Sequence, residues 1–385
     1  MSLEAPGRPD VAIVGGGIVG ASAAMFLAEA GASVVLVERT AVGAGASGRN
    51  SGAVQHPFDP VLVAMHVETL RIYRRLTDEG LGFTLPAEPA GLLLVAAQTA
   101  PVEELARDIG LLHPQLHPTV LTGGELQAIE PALAAGLSAC RLDTGYPVPP
   151  AAATRAIARR AEALGARILV GAAASLQRRG DAVVGLIVDG RPLDAGAVVV
   201  AAGPWSPDVV DPSGRWRPVR PVWGVNVEVE LARPPRAVIE QTGVETVATA
   251  GVAETPSQHP SEVPSMFSLI TAEGSTSLGS TFLPSEPDPP ALAPVLRERG
   301  ARFVPQLAAA PIRSVRACAR PQSADGRPLL GPVPDIAGLY AAFGHGPWGI
   351  SVGPAGARLV ADAILGRRAP IPDEVDAARF GVPTA

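Results

Sequence analysis

The sequence predicts an α/β fold in which a parallel-sheet domain, built from three chain segments, carries a second, mostly antiparallel β domain inserted twice. Three observations predict it: a strand–helix–strand unit over residues 10–39, the return of strand-and-glycine-turn patterns near 196–206 and 338–365, and short alternating patterns between them. At 385 residues the chain also exceeds the usual size of one hydrophobic core.

The first unit occupies residues 10–39. "DVAIVGGG" reads as a short apolar strand, "IVGASAAMFLAEAG" as an Ala-rich helix that ends at Gly31, and "SVVLVER" as a second strand. Continuous apolar runs, rather than alternating ones, are typical of strands buried on both faces. The stretch therefore predicts the start of a parallel βαβ sheet.

Later segments repeat this pattern. "GAVVVAAGPWS" supplies an apolar strand and a glycine turn, and "GLYAAFGHGPWGISVGPAGARLVADAIL" reads as strand, glycine-rich turn and helix. A helix is predicted over 149–165, "PPAAATRAIARRAEALG". We therefore assign residues 1–75, 145–212 and 312–385 to one nucleotide-type domain.

Residues 76–144 and 213–311 have a different texture. They contain alternating stretches such as "WGVNVEVEL" and Pro-rich connections such as "PSEPDPPALAP". These patterns predict a sheet-containing substrate domain inserted at two points.

Composition narrows the classes of partner. The net charge is −6 and no basic block occurs, so the chain has no positive patch that would attract nucleic acid or an anionic membrane. All 31 basic residues are Arg. The two cysteines, Cys140 and Cys318, form neither a disulfide framework nor a metal-site spacing. The N-terminal "MSLEAPGRPD" resembles no signal peptide, and no membrane span is expected. We expect a cytoplasmic protein without a metal, acting on small molecules, with a homo-oligomer left open.

The strongest local signal is Gly15-x-Gly17-x-x-Gly20 between the first strand and helix. Such glycines permit a tight turn, close approach of backbone to a pyrophosphate and close helix packing. Glu38 ends the second strand, where its carboxylate can accept the ribose hydroxyls of an adenosine and would repel a 2′-phosphate. FAD or NAD is therefore the predicted cofactor.

A second loop, "GAGASGRNSG" at 43–52, helps to decide between FAD and NAD. FAD lies extended and needs a further loop beyond the ribose site, whereas NAD does not; an ordinary surface turn is the alternative. We favour FAD. The contacts predicted here are Gly15, Gly17, Ile18, Val19, Gly20, Glu38, Arg39, Gly45, Ser47, Arg49, Asn50, Ser51 and Gly52.

The C-terminal glycine turn and helix predict a third contact, in which a helix N-terminus stabilises negative charge on the reduced flavin. His345 either orients the flavin edge or substrate, or only caps the helix. The further predicted contacts are Ala174, Ala202, Gly203, Trp205, Gly344, Gly346, Trp348, Gly349 and Ile350.

Together these stretches, with "RPQSADGRPLLG", resemble the FAD-dependent D-amino acid oxidase family, which includes glycine oxidase, D-amino acid dehydrogenase and monomeric sarcosine oxidase. The resemblance runs from residue 10 to about 366 and is weakest over 213–311. It implies a Rossmann-like FAD-binding domain, a mostly β substrate domain, and hydride transfer from a C–H next to an amine nitrogen to flavin N5, after which the imine product is hydrolysed.

The resemblance also assigns residues around 316–331. Arg320 matches the arginine that holds the substrate carboxylate; a structural ion pair with Asp325 is the alternative. Cys318 stands seven residues before Asp325, as does the cysteine joined covalently to flavin in monomeric sarcosine oxidase, and a thiolate beside two arginines would have a lowered pKa. We favour the alternative, a small buried side chain that replaces glycine.

Two further expectations concern the reaction. His56, just after the flavin loop, either positions substrate or is a hydrogen-bonded structural residue. Because the chain has no lysine, either dioxygen or another electron acceptor stays possible. The predicted reaction is oxidation of an amino acid or a primary or secondary amine. A 2-hydroxy acid dehydrogenase and a flavin-carrying electron-transfer subunit are the alternatives.

Overall fold

A computed structural model of the protein describes residues 7–243, 265–367 and 370–381. Residues 244–264, which belong to the predicted substrate domain, lie outside the described residues. Within the described ranges, no helix is both long enough and apolar enough to cross a membrane.

The helices and strands follow the chain in the order predicted for an α/β protein. The α-helices are α1 Ile18–Glu29, α2 Ala46–Arg49, α3 Pro60–Asp78, α4 Thr99–Leu112, α5 Gly123–Ile129, α6 Pro150–Ala163, α7 Ser206–Val210, α8 Pro289–Ala301 and α9 Gly349–Ile364. Short 3₁₀ turns occur at Pro114–Leu116, Gly203–Trp205, Pro305–Ala309, Gly346–Trp348 and Ala377–Phe380.

The strands fall into two large sheets, a three-stranded sheet and a two-stranded ribbon. They are β1 Val11–Val14, β2 Val34–Glu38, β3 Ala53–Val54, β4 Leu92–Ala96, β5 Thr119–Thr122, β6 Ser138–Leu142, β7 Tyr146–Pro147, β8 Arg167–Val170, β9 Ala174–Arg179 and β10 Ala182–Val188. The later strands are β11 Arg191–Asp194, β12 Ala197–Val200, β13 Val219–Val229, β14 Val238–Gln241, β15 Ser265–Ala272, β16 Ser275–Thr281, β17 Ile312–Ser323, β18 Leu329–Pro332 and β19 Leu339–Phe343.

The first large sheet has the order β18-β19-β12-β1-β2-β8, and all its pairs are parallel except β18 with β19. Its central strand β1 is buried along its whole length. Helices α1, α6 and α9 pack on one face and the antiparallel sheet β9–β11 covers the other. This double cover explains why β1 is apolar at every position and β2 at every position before Glu38.

The second large sheet has the order β17-β13-β16-β15-β14-β4-β6-β5 and is antiparallel except for the β14–β4 pair. One face packs against α8 and the 3₁₀ turn at Pro305–Ala309 and forms a separate hydrophobic core. The other face turns toward the parallel-sheet unit. The predicted α/β fold with a mostly antiparallel second sheet is confirmed.

One strand lies in a different sheet from the one that the predicted segments suggest. The sequence pattern places residues 312–323 in the nucleotide-type domain, but β17 pairs along its length with β13 in the second sheet. The pairing is favoured because β17 and β13 are long, and every ladder hydrogen bond between them satisfies a backbone group. The chain then enters the parallel sheet at β18.

Candidate active site

A cavity of about 800 Å³ lies between the carboxyl ends of the parallel strands and one face of the second sheet. The carboxyl ends of β1 and β2 contribute Val14 and Glu38, and the second sheet contributes Arg320 and Glu240. In open α/β sheets, ligands bind at this edge of the strands. The cavity is therefore the candidate active site.

The glycine turn after β1 has no room for side chains. Gly15 has a φ of +109°, and a Cβ on it would overlap the Ala201 carbonyl oxygen. A Cβ on Gly20 would overlap the Gly15 carbonyl oxygen, so α1 packs directly on the turn. Gly20 therefore does not line the cavity; it sets how closely α1 approaches it.

The start of α1 is held by the second loop. The Ile18 amide donates to Ser47 Oγ at 2.9 Å, and a Cβ on Gly17 would lie 3.0 Å from the same oxygen. Gly17, Ile18 and Val19 at the start of α1 line the cavity, which places the positive end of the helix dipole there. This combination suits a pyrophosphate.

Glu38 lies on the cavity wall at the end of β2. Its Oε2 accepts from the Gly16 amide at 2.7 Å, and its Oε1 accepts from the Thr40 amide at 2.8 Å. The Thr40 hydroxyl also donates to Oε1, at 3.0 Å. A carboxylate has about four acceptor positions, so one remains for a ribose hydroxyl of an adenosine. A 2′-phosphate would meet this negative charge.

These features fit FAD rather than a shorter nucleotide, since the lining continues from Glu38 through the 43–52 loop to the second sheet. Gly52 and Gly344, with φ of +90° and +84°, shape loops beside the cavity without lining it. The remaining predicted contacts line it: Gly15, Gly17, Ile18, Val19, Glu38, Arg39, Gly45, Ser47, Arg49, Asn50, Ser51, Ala174, Ala202, Gly203, Trp205, Cys318, Gly346, Trp348, Gly349 and Ile350.

Arg320 projects from β17 into the opposite wall of the cavity. Its Nη1 donates to the Thr281 carbonyl oxygen at 2.9 Å and its Nη2 donates to Ser280 Oγ at 2.6 Å. The guanidinium carbon lies 4.6 Å from the Phe282 ring centroid. On Gly224, a Cβ would lie 2.6 Å from either terminal nitrogen, so the guanidinium rests on bare backbone.

The alternative role for Arg320, an ion pair with Asp325, is not what the structure contains. Asp325 instead accepts from Arg379 Nε at 2.7 Å and from Arg379 Nη2 at 3.0 Å. Within residues 7–243, 265–367 and 370–381, no ion pair involves Arg320. Burial lowers the pKa of Arg320, but an arginine stays protonated at neutral pH.

Comparison with known proteins agrees with this geometry. Residues 10–363 match the model of the family described as DAO, FAD dependent oxidoreductase. The chain belongs to this family. The predicted family and the predicted cofactor, FAD, are both confirmed, and the enzyme is an FAD-dependent oxidoreductase.

Several members of the family resemble this oxidoreductase over nearly its whole length. Glycine oxidase from Pseudomonas aeruginosa is 28% identical over 401 residues, covering 96% of this chain and 98% of the relative. The glycine oxidase structure from Geobacillus kaustophilus has a TM-score of 0.80 at 26% identity, covering 98% of both chains. That of iminodiacetate oxidase from Chelativorans has a TM-score of 0.78 at 25% identity, covering 95% and 98%.

Cys318 of the oxidoreductase lines the cavity on the same strand as Arg320. The sequence suggested a lowered thiol pKa, and that expectation is wrong. Burial raises the pKa of Cys318 more than the nearby Arg320, Arg316 and Arg49 lower it. A protonated, buried thiol behaves as a small apolar side chain.

Arg316 is engaged elsewhere and ties the flavin loop of the oxidoreductase to the second sheet. Its Nε donates to the Arg49 carbonyl oxygen at 3.1 Å, and its Nη2 donates to the Asn50 carbonyl oxygen at 3.3 Å and to Ser277 Oγ at 3.1 Å. This side chain therefore fixes the distance between the two walls of the cavity.

His345 lines the cavity and is 2% exposed. Its Nε2 has no hydrogen-bond partner in the described part of the chain, and its side chain makes no capping bond. Burial lowers the pKa of His345 to about 3, so the imidazole is neutral at neutral pH. The structure thus gives the capping alternative no support.

His56 does not line the cavity. It is buried beside His66 and His113, with ring centroids 5.6 Å and 5.0 Å away, and its Nε2 lies 3.3 Å from Gln115 Nε2. Burial is the main reason that the pKa values of His56 and His66 fall to about 4. The structure favours the structural alternative for His56, because the neighbouring side chains hold it away from the cavity.

Several residues that line the cavity were not predicted from the sequence. They come from strands of the second sheet, from the turn beyond the flavin loop, or from the segment after β16, and no local motif marks them. Which of their side chains reach the cavity depends on strand register and on packing between the sheets. These residues are Gln55, Phe58, Asn226, Glu240, Met266, Ser268, Ser280, Phe282 and Glu286.

Proposed function

We propose that this FAD-dependent enzyme oxidises an amino acid or an amine at a C–H bond next to nitrogen, and that Arg320 binds the carboxylate of the substrate. The observation that carries the proposal is the guanidinium of Arg320 in the cavity wall, without a carboxylate partner among the described residues. A buried cation of this kind gains most from a bound anion. Relatives named glycine oxidase, D-amino acid dehydrogenase and iminodiacetate oxidase support the same substrate class.

The surroundings of Arg320 prepare it for this task. Two of its five N–H groups are committed to Thr281 and Ser280, which fixes the plane of the guanidinium. The Phe282 ring and the Gly224 backbone lie against it. A preorganised guanidinium loses little entropy when it binds a carboxylate and holds the adjoining C–H bond in one orientation.

FAD, when bound, supplies the chemistry: it accepts the hydride released from the substrate C–H bond. As the hydride leaves, the nitrogen lone pair forms the C=N bond of an imine, which water then hydrolyses. A neutral amine needs no strong general base for this step. The neutral His345 in the cavity wall is consistent with that requirement.

The electron acceptor and the cellular location are also proposed. Dioxygen or another small electron acceptor receives the electrons, and no lysine takes part because the chain has none. Arg49 and Arg320 are cations close to Cys318 at the cavity wall. We place the reaction in the cytoplasm, since Cys140 and Cys318 are both buried and do not form a disulfide with each other.

Two other functions are less favoured. A 2-hydroxy acid dehydrogenase and an electron-transfer subunit are possible on a flavoprotein fold. Relatives that match this chain along nearly its whole length are instead named as oxidases of glycine or iminodiacetate.

An anaerobic screen tests the proposal. The purified enzyme with FAD is mixed with amino acids of both hands, N-methyl amines and 2-hydroxy acids, and the flavin absorbance is followed. We expect bleaching with at least one amino acid or amine and none with the matched hydroxy acid. Bleaching by dithionite alone would overturn the proposal, whereas bleaching by hydroxy acids alone would establish the dehydrogenase.

A further inference from the structure

The face of the second sheet that turns to the cavity carries a row of polar residues. The ladders place Glu240 on β14 opposite Ser268 on β15, and Ser268 opposite Gly279 on β16. The ladder of β16 with β13 places Gly279 next to Asn226, and a Cβ on Gly279 would lie 2.5 Å from Asn226 Oδ1. Directly opposite residues share a face, so Asn226, Ser268 and Glu240 project from the same side.

The neighbouring positions project to the other side. Ile239, Leu269 and Leu278 are fully buried in the core against α8. The alternation along each strand therefore separates an apolar face, which packs, from a polar face, which lines the cavity. Core packing does not require a carboxylate on this second face.

Glu240 is 7% exposed and lines the cavity. Gln55, from the turn after the flavin loop, donates to its Oε2 at 3.1 Å through Nε2. Because the NH₂ group of Gln55 is used in this way, its Oε1 is the atom left over, and it has no partner in the described part of the chain.

Asn226 shows the same arrangement. Its Nδ2 donates to the Arg49 carbonyl oxygen at 3.1 Å, and its Oδ1 is buried without a partner among the described residues. Unsatisfied buried acceptors are uncommon in folded proteins and call for a donor. We name Gln55, Asn226, Ser268 and Glu240 the acceptor row.

The Glu240 end of the acceptor row lies apart from Arg320. Ser280, which receives the Arg320 guanidinium, lies at the end of β16, and Glu240 lies two strands away on β14. Neighbouring strands are about 4.8 Å apart, so roughly 10 Å separates the two backbones. An α-ammonium is attached to the same carbon as the carboxylate, so it is too close to the Arg320 end to serve Glu240 as well.

We propose that the Glu240 end of the acceptor row is a subsite for a positively charged nitrogen that several carbon atoms separate from the substrate carboxylate. Glu240 pairs with the charge of this nitrogen, and the amide oxygen of Gln55, whose side chain contacts Glu240, accepts one of its N–H groups. The inference rests on the proposed function, because Arg320 anchors the carboxylate at the other end. It adds that neutral amino acids are poor substrates and that chain length matters.

A matched set of three ligands tests the subsite. Lysine carries both an α-amine and a distal ammonium, norleucine lacks the distal ammonium, and 6-aminohexanoate lacks the α-amine. Each is mixed anaerobically with the FAD-loaded enzyme, in both hands where it is chiral. The apparent Kd of lysine and of norleucine is taken from the rate of flavin reduction, and that of 6-aminohexanoate from its inhibition of the reduction by lysine. We expect lysine or 6-aminohexanoate to bind at least about 10-fold more tightly than norleucine, a difference of about 1.4 kcal/mol.

Variants then assign the effect to Glu240. Glu240→Gln keeps the shape and removes the charge, and we expect it to abolish the preference for the distal ammonium; Glu240→Asp should retain part of it. Glu286→Gln makes the same charge change at an exposed residue of the same cavity and should leave the preference intact. The FAD absorbance of each variant reports whether the fold and the cofactor site are preserved.

The outcomes separate the two proposals. If norleucine reduces the flavin as readily as lysine, or Glu240→Gln keeps the wild-type preference, the subsite is wrong while amine oxidation stands. If no amine reduces the flavin but dithionite does, the proposed function fails and the subsite fails with it. If 6-aminohexanoate reduces the flavin, its only nitrogen reacts as a neutral amine, so the charged subsite is wrong while amine oxidation stands.

Discussion

The two walls of the cavity are built in different ways. On the FAD side, the wall is shaped mainly by backbone: by the four glycines within residues 15–20 and by the amides at one helix end. On the substrate side, the wall consists of side chains from β13 to β17, which are up to about a hundred residues apart in the chain. The wall on the FAD side has no room for added side-chain atoms. On the substrate side, a single substitution changes one contact and so changes specificity without rebuilding the wall.

The largest expected effect comes from adding a side chain to the backbone wall. Gly20→Val would place side-chain atoms where the Gly15 carbonyl oxygen lies, and the turn and α1 would have to separate. We expect purified protein without bound FAD, as read from the absorbance near the flavin bands. Gly124→Ala is the control, because an added Cβ there has no neighbour within 4 Å and Gly124 does not line the cavity; if Gly20→Val retains FAD as Gly124→Ala does, the backbone explanation fails.

The next effect concerns the charge of the substrate wall. Arg320→Met should lower kcat/KM for an amino acid by about 100-fold or more, since loss of one partner of a buried charge pair costs roughly 2–5 kcal/mol. FAD binding should be unchanged. An amine without a carboxylate should lose little, and an equal loss for both substrates would show that Arg320 does not bind the carboxylate.

A smaller effect is expected from the bare backbone under Arg320. Gly224→Ala adds a Cβ 2.6 Å from the guanidinium nitrogens and should tilt the guanidinium away from Ser280. We expect KM for the amino acid to rise about 10-fold, or roughly 1.4 kcal/mol, with kcat less affected. Gly124→Ala has no neighbour within 4 Å and serves as control; unchanged KM in both variants would contradict the positioning role.

The pH dependence of stability involves residues behind both walls. The folded pKa of His56 and of His66 lies near 4, below the ordinary 6.5, so the unfolded chain binds more protons between these values. The free energy of unfolding should therefore fall as pH drops from about 6.5 to about 4, by on the order of 1–3 kcal/mol. Urea denaturation at several pH values measures this.

A variant identifies the source of that slope. His56→Gln should make the loss of stability between pH 6.5 and 4 shallower. His117→Gln, at a side chain that is 74% exposed, should leave the slope as in the wild type. Equal slopes in all three proteins would mean that the buried histidines do not control acid stability.

The smallest effect is expected at Cys318. Its thiol pKa is raised, so the thiolate needed for attachment to flavin is disfavoured. Acid precipitation should leave the yellow colour in the supernatant, and Cys318→Ser should bind FAD as the wild type does. A yellow pellet from the wild type that turns colourless in Cys318→Ser would show a covalent bond.

Features formed by one short stretch of chain were predicted correctly from local sequence patterns. The βαβ unit at 10–39, the glycine turn and Glu38 were all predicted because strand, turn and helix are adjacent in the chain. The lowered thiol pKa expected for Cys318 was wrong, because that pKa depends on residues that are distant in the chain. Sequence neighbours showed two arginines, but the burial that outweighs them comes from packing between sheets.

The sequence by itself determined the fold class, the family and the identity of the cofactor, since these depend on contiguous motifs that end in a helix N-terminus. Only the tertiary structure decided that Asp325 pairs with Arg379 and leaves Arg320 to the cavity, that His56 faces other histidines, and that Glu240 shares a face with Asn226. For Arg320, Glu240 and Asn226 the physical reason is strand register, because a shift of one residue would turn each side chain to the opposite face. Asp325, Arg379 and His56 lie outside the strands, and their contacts depend on packing between segments that are distant in the chain.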